Sequence, residues 1–442
     1  MAAVEAIEQP ASVDHHPRIG LMGATALVVG GMIGSGVYLV PATLGAMGSI
    51  SLLGWVAASC AALALAGVFA FLAAAAPAAT GLAAYVEEGL GKFPAAVCAF
   101  IYWVECWVGN VALGLAVAGA LGFLAPALAA PGPRLAVTLA LIWLTVGACA
   151  VGPKLVSRIE GLTLVLGLAP VIFAAAFGWF WFHPAVFLAS WNPGHLAAPQ
   201  AVWRSALVVF WAFLGVECAA ATAGVVRDPA RNVPRASLLG VLAAAGLYIA
   251  ACAVLMGILP APQLAASSAP FADAARAALG VAGGTVIGLC VLLRVTGCFA
   301  VWTLLPAETS RTAADAGVFP AVLRTRPGER ASRVNLLLVG VLMTATALAS
   351  FSPQLTRQFT LLADITVILA LGAYILAAAS LLRLAARFAS PLARWGACAV
   401  AVIAMACAVT LMTAGNKIEL LWSLVPVGLG AALYLARPRR RT

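Results

Sequence analysis

Charge is scarce in this 442-residue sequence: Asp, Glu, Lys and Arg make up 9%, against 64% hydrophobic residues and a mean hydropathy of +1.06. So little polar surface cannot cover a core in water, which excludes a soluble globular protein and leaves the bilayer as the solvent. Long polar connections are missing too. The longest runs from about residue 307 to 333, room for one short interfacial helix and no soluble domain. Histidine is rare, and His15, His16, His183 and His195 fall in tails or loops. With no Ser/His/Asp set, phosphate loop or metal-spaced cluster, neither an enzyme nor a cofactor or metal site is expected. The ten cysteines lie in or beside apolar stretches without a C-x-x-C pair and read as small packing residues.

What is present is a series of long apolar runs. Those such as AASCAALALAGVFAFLAAAA (57–76) are continuous and lack the alternation of a transmembrane β-strand, so the fold class expected is an all-α helical bundle. About twelve stretches reach the roughly 20 residues that a spanning helix needs. They centre near residues 30, 64, 108, 143, 170, 212, 248, 291, 342, 371, 402 and 428. The first nineteen residues are polar, without a signal-peptide core, and are expected to stay as a cytoplasmic tail.

Lys and Arg set the orientation. Of 25 basic residues, Arg134, Arg204, Arg276, Arg357 and Lys417 fall in outer segments and Arg294 inside a span; the others, Lys154, Arg158, Arg227 and the tail Arg437–Arg441 among them, fall on the inner side. The net charge of +10 is thus a topology signal with no nucleic-acid footprint in it.

Two spans carry matching interruptions, GGMIGSG (30–36) in the first and FWAFLGVE (210–217) in the sixth. Broken helices five spans apart suggest inverted five-helix repeats, with a site where the freed backbone groups meet a polar ligand. The half-helix after Gly36 would present N–H groups to a carboxylate, and carbonyls before it would accept from an ammonium group, the two ends of an α-amino acid. Glycine packing between helices accounts for such a motif equally simply where it stands alone.

Charges deep in spans are costly and mark function; here they are Glu105, Glu217, Arg294 and Asp364. Glu217 directly follows the sixth-span break, within reach of a proton or a cation. On the third span Tyr102, Cys106 and Asn110 follow at i, i+4 and i+8 along one stripe, with Glu105 beside it. Asn110 suits an amine or guanidinium, or simply an interhelical hydrogen bond. Trp211 and Trp302 sit mid-span, placed for cation–π contact or for packing. Arg294 has Glu105 and Asp364 as alternative ion-pair partners, a choice the sequence leaves open.

The motifs GMIGSGVYLVP (31–41), YWVECWVGN (102–110), VGPKLVSR (151–158), WAFLGVE (211–217), GVVRDPARNVP (224–234) and VWTLLPAETSRTAADAGVFP (301–320) together resemble the amino acid/polyamine/organocation (APC) superfamily. Within it the sequence is similar to the basic amino acid/polyamine antiporters, the arginine/agmatine exchangers above all, over about residues 18–435. The resemblance implies a leucine-transporter-like fold: a transporter domain over 20–435, with repeat one at about 20–185, repeat two at about 200–385 and two further C-terminal helices at about 391–435. Tails at 1–19 and 436–442 would flank it, both cytoplasmic, in a bacterial inner-membrane protein that is often a homodimer.

The resemblance also implies residue roles. Met32, Ser35 and Gly36 would hold the substrate's carboxylate and amine, Trp211 would cover it, Trp302 would pack along its chain, and Cys106, Asn110 and Thr366 would meet its far end. Tyr102, Glu217 and Tyr374 would form a cytoplasmic gate, with Glu217 sensitive to pH. Three positions depart from the family pattern and bear on specificity: Glu105 replaces a small apolar residue, Asp364 a small polar one, and Arg294 stands in a normally uncharged helix. A free Glu105 would favour dications; one neutralised by Arg294 would suit a smaller or less charged substrate. The function implied is exchange of a cationic amino acid for its decarboxylated amine, arginine for agmatine foremost, without ATP, sodium or any cofactor, and contributing to acid resistance. The alternative is proton-coupled uptake of an amino acid or of a polyamine such as putrescine or cadaverine. A sensor would need an output domain, and a channel would show unsaturable flux.

Overall fold

The computed structural model describes residues 19–32, 34, 36–79, 81–217, 226–315, 317–326 and 332–436; the tail residues 1–18 and 437–442 and the pocket candidate Ser35 lie outside them. Sixteen helices, numbered in chain order, account for nearly all of the described chain. Span 1 is the bent pair α1 (Leu21–Met32) and α2 (Gly36–Gly45), with 49° between them. Span 2 is α3 (Ser51–Ala75); the short α4 (Leu82–Leu90) leads into span 3, α5 (Lys92–Leu124). Spans 4 and 5 are α6 (Pro131–Val151) and α7 (Pro153–Phe177), followed by α8 (Pro184–Ala189). Span 6 opens with α9 (Ala198–Phe210), and span 7 is α10 (Pro229–Ile258), followed by α11 (Ala261–Ala266). In α12 (Pro270–Asp315) a break at Gly280, where φ is +76°, sets a short helix apart from span 8. Spans 9 to 12 are α13 (Arg333–Ala349), α14 (Leu355–Leu384), α15 (Pro391–Thr413) and α16 (Lys417–Leu435).

Local chemistry explains where these helices begin. Proline opens α6, α7, α10, α12 and α15, where its missing N–H leaves no bond unmade and its fixed φ suits the first turn. A reciprocal cap opens α16, with Asn416 accepting from the Glu419 backbone N–H at 2.9 Å and the Glu419 carboxylate accepting from the Asn416 backbone N–H at 2.8 Å.

Among the described residues nine helices are long and apolar enough to cross a membrane, ten with the bent pair counted as one span. About twelve were expected; α13, with 17 residues, and α9, with 13, occupy two of the expected places but are shorter than these. Large apolar side chains face outward around the bundle, among them Leu144, Leu162, Val165, Leu392, Trp395 and Leu421, as a hydrocarbon surrounding requires. The most apolar stretch of α5 is 78% buried and that of α16 only 22%, so span 3 forms the centre and span 12 the rim.

The main packing pairs reveal the symmetry. Span 2 packs on span 7, and span 3 on span 8; span 2 packs on span 6 as span 7 does on span 1, and span 3 on span 10 as span 8 does on span 5. Advancing both partners by five spans turns each pairing into itself or into another one. Because five is odd, the two units thread the membrane in opposite directions, which makes them inverted repeats.

Candidate functional site

Both expected breaks are present. In span 6, α9 ends at Phe210, a single 3-10 turn covers Trp211–Phe213, Leu214 is extended (ψ 137°) and Gly215 takes φ +98°, a conformation that glycine adopts without a Cβ penalty. In span 1 the chain breaks between Met32 and Gly36, and the Gly34 N–H donates back to the Met32 carbonyl at 2.8 Å. The two breaks face each other through one side chain: a methyl group at Gly36 would overlap the indole of Trp211, whose far edge reaches Gly109 on span 3. A centroid distance of 5.9 Å to Phe359 steadies that indole from span 10.

Trp211 covers a small cavity of about 30 Å³, space for a water and too little for an amino acid or a diamine. Met32 and Gly36 line it from span 1, Glu105, Gly109 and Leu113 from span 3, Cys298 and Trp302 from span 8, and Thr366 from span 10. Among the described residues Glu105 is the only carboxylate in this lining, and none of them there is Lys or Arg. The Glu105 side chain is buried, and its neighbour Cys106 places a thiol 3.8 Å from its Oε2. Thr366 spends its hydroxyl on the Leu362 carbonyl at 2.7 Å and so presents its methyl side to Gly109.

Beyond the span-6 break lies a second constriction. Tyr374 of span 10 donates to Glu217 Oε2 at 2.6 Å, and Tyr102 of span 3 lies 3.5 Å from Oε1. The three expected gate residues therefore meet, with Phe69 of span 2 packed edge-on against Tyr374 at 5.5 Å.

Asn110 is placed differently. Its amide donates to Thr303 Oγ1 at 2.8 Å and to the Phe299 carbonyl at 3.2 Å, so it ties span 3 to span 8 and does not line the cavity. Cys106 is likewise buried behind Glu105 and outside the lining.

Residues 19–428 match the sequence model of a family described as amino acid permease. The chain belongs to the amino acid permease family. It is therefore a multi-pass membrane transporter and no enzyme. Its relatives include the cadaverine/lysine antiporter of Escherichia coli K12, 34% identical over 371 residues that make up 83% of either chain. The putrescine transporter PotE of the same strain is 31% identical over 82% of this chain and 83% of its own, and the PotE of Haemophilus influenzae 30% identical over 82% and 84%.

In this permease the intramembrane arginine has neither of its two expected partners. Arg294 is buried and pairs with Glu160 of span 5 at 2.7 Å, its aliphatic stem filling the place of the side chain that Gly167 lacks. The Tyr38 hydroxyl donates to the Gly167 carbonyl and fixes the same corner from span 1. Asp364 is fully buried and pairs with Arg204 of span 6 at 2.5 Å. Glu105 is thus left without a cation among the described residues.

Sequence reasoning missed Glu160, Arg204 and Glu419 as partners, and Gly109, Leu113 and Cys298 as lining. The lining did leave a signal: Glu105, Gly109 and Leu113 are spaced at i, i+4 and i+8, and Cys298 lies one turn before Trp302. The ion pairs left none, because each joins spans more than a hundred residues apart in sequence, 134 for Arg294 and Glu160 and 160 for Arg204 and Asp364.

Proposed function

We propose that this permease exchanges a cationic amino acid for its decarboxylated amine by alternating access, and that the side-chain ammonium of either substrate binds at Glu105. The observation that carries this reading is a single buried carboxylate in a lining without a cation, beneath an indole able to stack on the substrate's alkyl chain. A carboxylate about 4 Å from an ammonium contributes roughly 4 kcal/mol at an effective dielectric of 20, before desolvation. The first turn of α2 offers its free N–H groups to the α-carboxylate of the amino acid, which the amine lacks.

Within this class the compact charge of an alkylammonium fits one carboxylate, whereas a guanidinium asks for a planar set of acceptors. The lining supplies no second carboxylate, and the relatives are named for cadaverine, lysine and putrescine. Lysine with cadaverine, or ornithine with putrescine, therefore ranks above arginine with agmatine. The distribution of Lys and Arg supports insertion in the inner membrane with both termini in the cytoplasm.

Calorimetric titration of the purified protein with lysine, cadaverine, ornithine, putrescine, arginine, agmatine and norleucine tests the ranking. The ω-ammonium compounds should bind at least about tenfold more tightly than norleucine, a difference of about 1.4 kcal/mol. Equal affinity for norleucine would remove Glu105 from the site.

A second reading, proton-coupled uptake of the same amines, is favoured by Glu217. Its carboxyl group is buried between two tyrosine hydroxyls and can trade a proton for a passing cation.

A further inference from the structure

A third cluster of charge lies at the other end of the pocket, away from the Glu217 gate, and neither the binding reading nor the gate uses it. Arg204, on the first half of span 6, gives Nη2 to Asp364 Oδ2 at 2.5 Å and to Glu419 Oε1 at 3.1 Å, and Nη1 to Glu419 Oε2 at 3.0 Å and the Ala414 carbonyl at 3.4 Å. Asp364 is fully buried in the middle of α14, with its Oδ1 unpartnered, and Glu419 is pinned at the start of α16 by Asn416, whose side-chain amide donates to its Oε1 at 2.6 Å. Arg204 alone is partly exposed, at 23%, and stands beside a cavity of about 610 Å³ between span 6, the end of span 11 and the turn that leads into span 12.

The order of residues along two spans gives the cluster a meaning. Span 6 carries Arg204, then Trp211, then Glu217; span 10 carries Asp364, then Thr366, then Tyr374. Each span thus has a member of the cluster, a residue of the pocket and a residue of the gate, in that order. Trp211 follows Arg204 by roughly two turns, so the guanidinium holds the half-helix that carries the lid. A carrier needs two constrictions that open in turn. The Tyr102–Glu217–Tyr374 contact is one of them. Glu419 belongs to a span outside the inverted repeats, so the cluster has no symmetry mate on the gate side.

We propose that Arg204, held by Asp364 and Glu419, is a positioning residue: a clamp that keeps the lid-bearing half of span 6 closed against spans 10 and 12 on the side of the pocket away from the gate. Two carboxylates against one guanidinium make release costly while the cluster is dry. Water entering through the neighbouring cavity solvates Arg204 first, and span 6 can then swing. The inference rests on the alternating-access exchange proposed above.

Its test reads the conformation directly. In a variant in which Cys298 is the sole cysteine, the rate of modification by a membrane-impermeant cationic methanethiosulfonate is measured from each face of oriented proteoliposomes, and exchange by wild-type protein is followed in parallel vesicles. Arg204→Gln and Asp364→Asn should raise modification from the clamp side about tenfold, equivalent to about 1.4 kcal/mol of bias between the two states. Modification from the gate side should fall. Exchange should show a lower KM on the clamp side together with a lower kcat, and Arg204→Lys should restore part of both. Unchanged rates, or equal changes from both faces, would overturn the clamp and reduce the cluster to a structural ion pair. If Arg204→Gln does not elute as a folded protein on gel filtration, Glu419→Gln makes the same comparison. Failure of wild-type exchange with asymmetric labelling intact would count against the transport reading and leave the clamp standing.

Discussion

Glu105 carries the proposed chemistry at the level of single residues, since it is the carboxylate that the lining of the cavity provides. Replacing it by Gln keeps the shape and removes the charge. Loss of one partner from a buried charged pair costs about 2 kcal/mol or more, so Glu105→Gln should raise the KM for a diamine roughly thirtyfold. The KM for a neutral analogue should move less than about twofold, because no charge is lost to it. Initial rates of labelled-amine uptake across a concentration series check both. At the gate, Tyr374→Phe removes the hydroxyl that donates to Glu217 at 2.6 Å. A hydrogen bond to a charged group contributes about 1.5–3 kcal/mol, and the gate should accordingly open more often. The expected outcome is a tenfold or greater rise in access of an impermeant thiol reagent to Cys298 from the gate side; unchanged access would show that Glu217 is held closed by other contacts.

Helices decide which residues can meet, and here the sequence was informative only up to a point. The breaks in spans 1 and 6 were legible because glycine and a run of small or aromatic residues interrupt otherwise continuous apolar helices. The motifs carry Tyr102 and Glu217, and the resemblance adds Tyr374; the structure brings these three side chains together. The direction in which span 3 points its faces was not legible. Periodicity groups Tyr102, Cys106 and Asn110 on one stripe and Glu105, Gly109 and Leu113 on the next, but it does not say which stripe faces the cavity; packing against spans 8 and 10 settles that, and turns Asn110 to Thr303. Two element-level predictions follow from these contacts. Gly36→Ala puts a methyl group into the Trp211 indole, and overpacking of about 1–3 kcal/mol should slow exchange roughly five- to 150-fold while circular dichroism stays that of the parent; trimming the indole with Trp211→Phe in the same chain should recover part of the rate. Arg294→Gln strands the partly exposed Glu160 and leaves a hole beside Gly167, and loss of a hydrogen bond to a charged group costs about 1.5–3 kcal/mol. A clear fall in Tm in detergent is expected, and an unchanged Tm would mean that the pair contributes nothing.

The whole molecule is a pair of inverted five-span units with two added helices, a construction visible in which spans pack together and foreshadowed by the spacing of the two breaks. Such a carrier has its site between the units, at the breaks, with a closure on either side. Trp211 joins the two broken spans across a cavity too small for substrate, and the gate and the clamp flank it along spans 6 and 10. Exchange requires that a substrate crossing one way be matched by one crossing the other way. The most direct measurement follows entry of labelled cadaverine into proteoliposomes loaded with lysine, ornithine, arginine, norleucine or buffer alone, with and without a pH gradient. Exchange is expected to show as uptake only into vesicles holding a cationic amino acid, with lysine and ornithine ahead of arginine. Equal filling of buffer-loaded vesicles under a pH gradient would contradict it and make the protein a proton-coupled carrier.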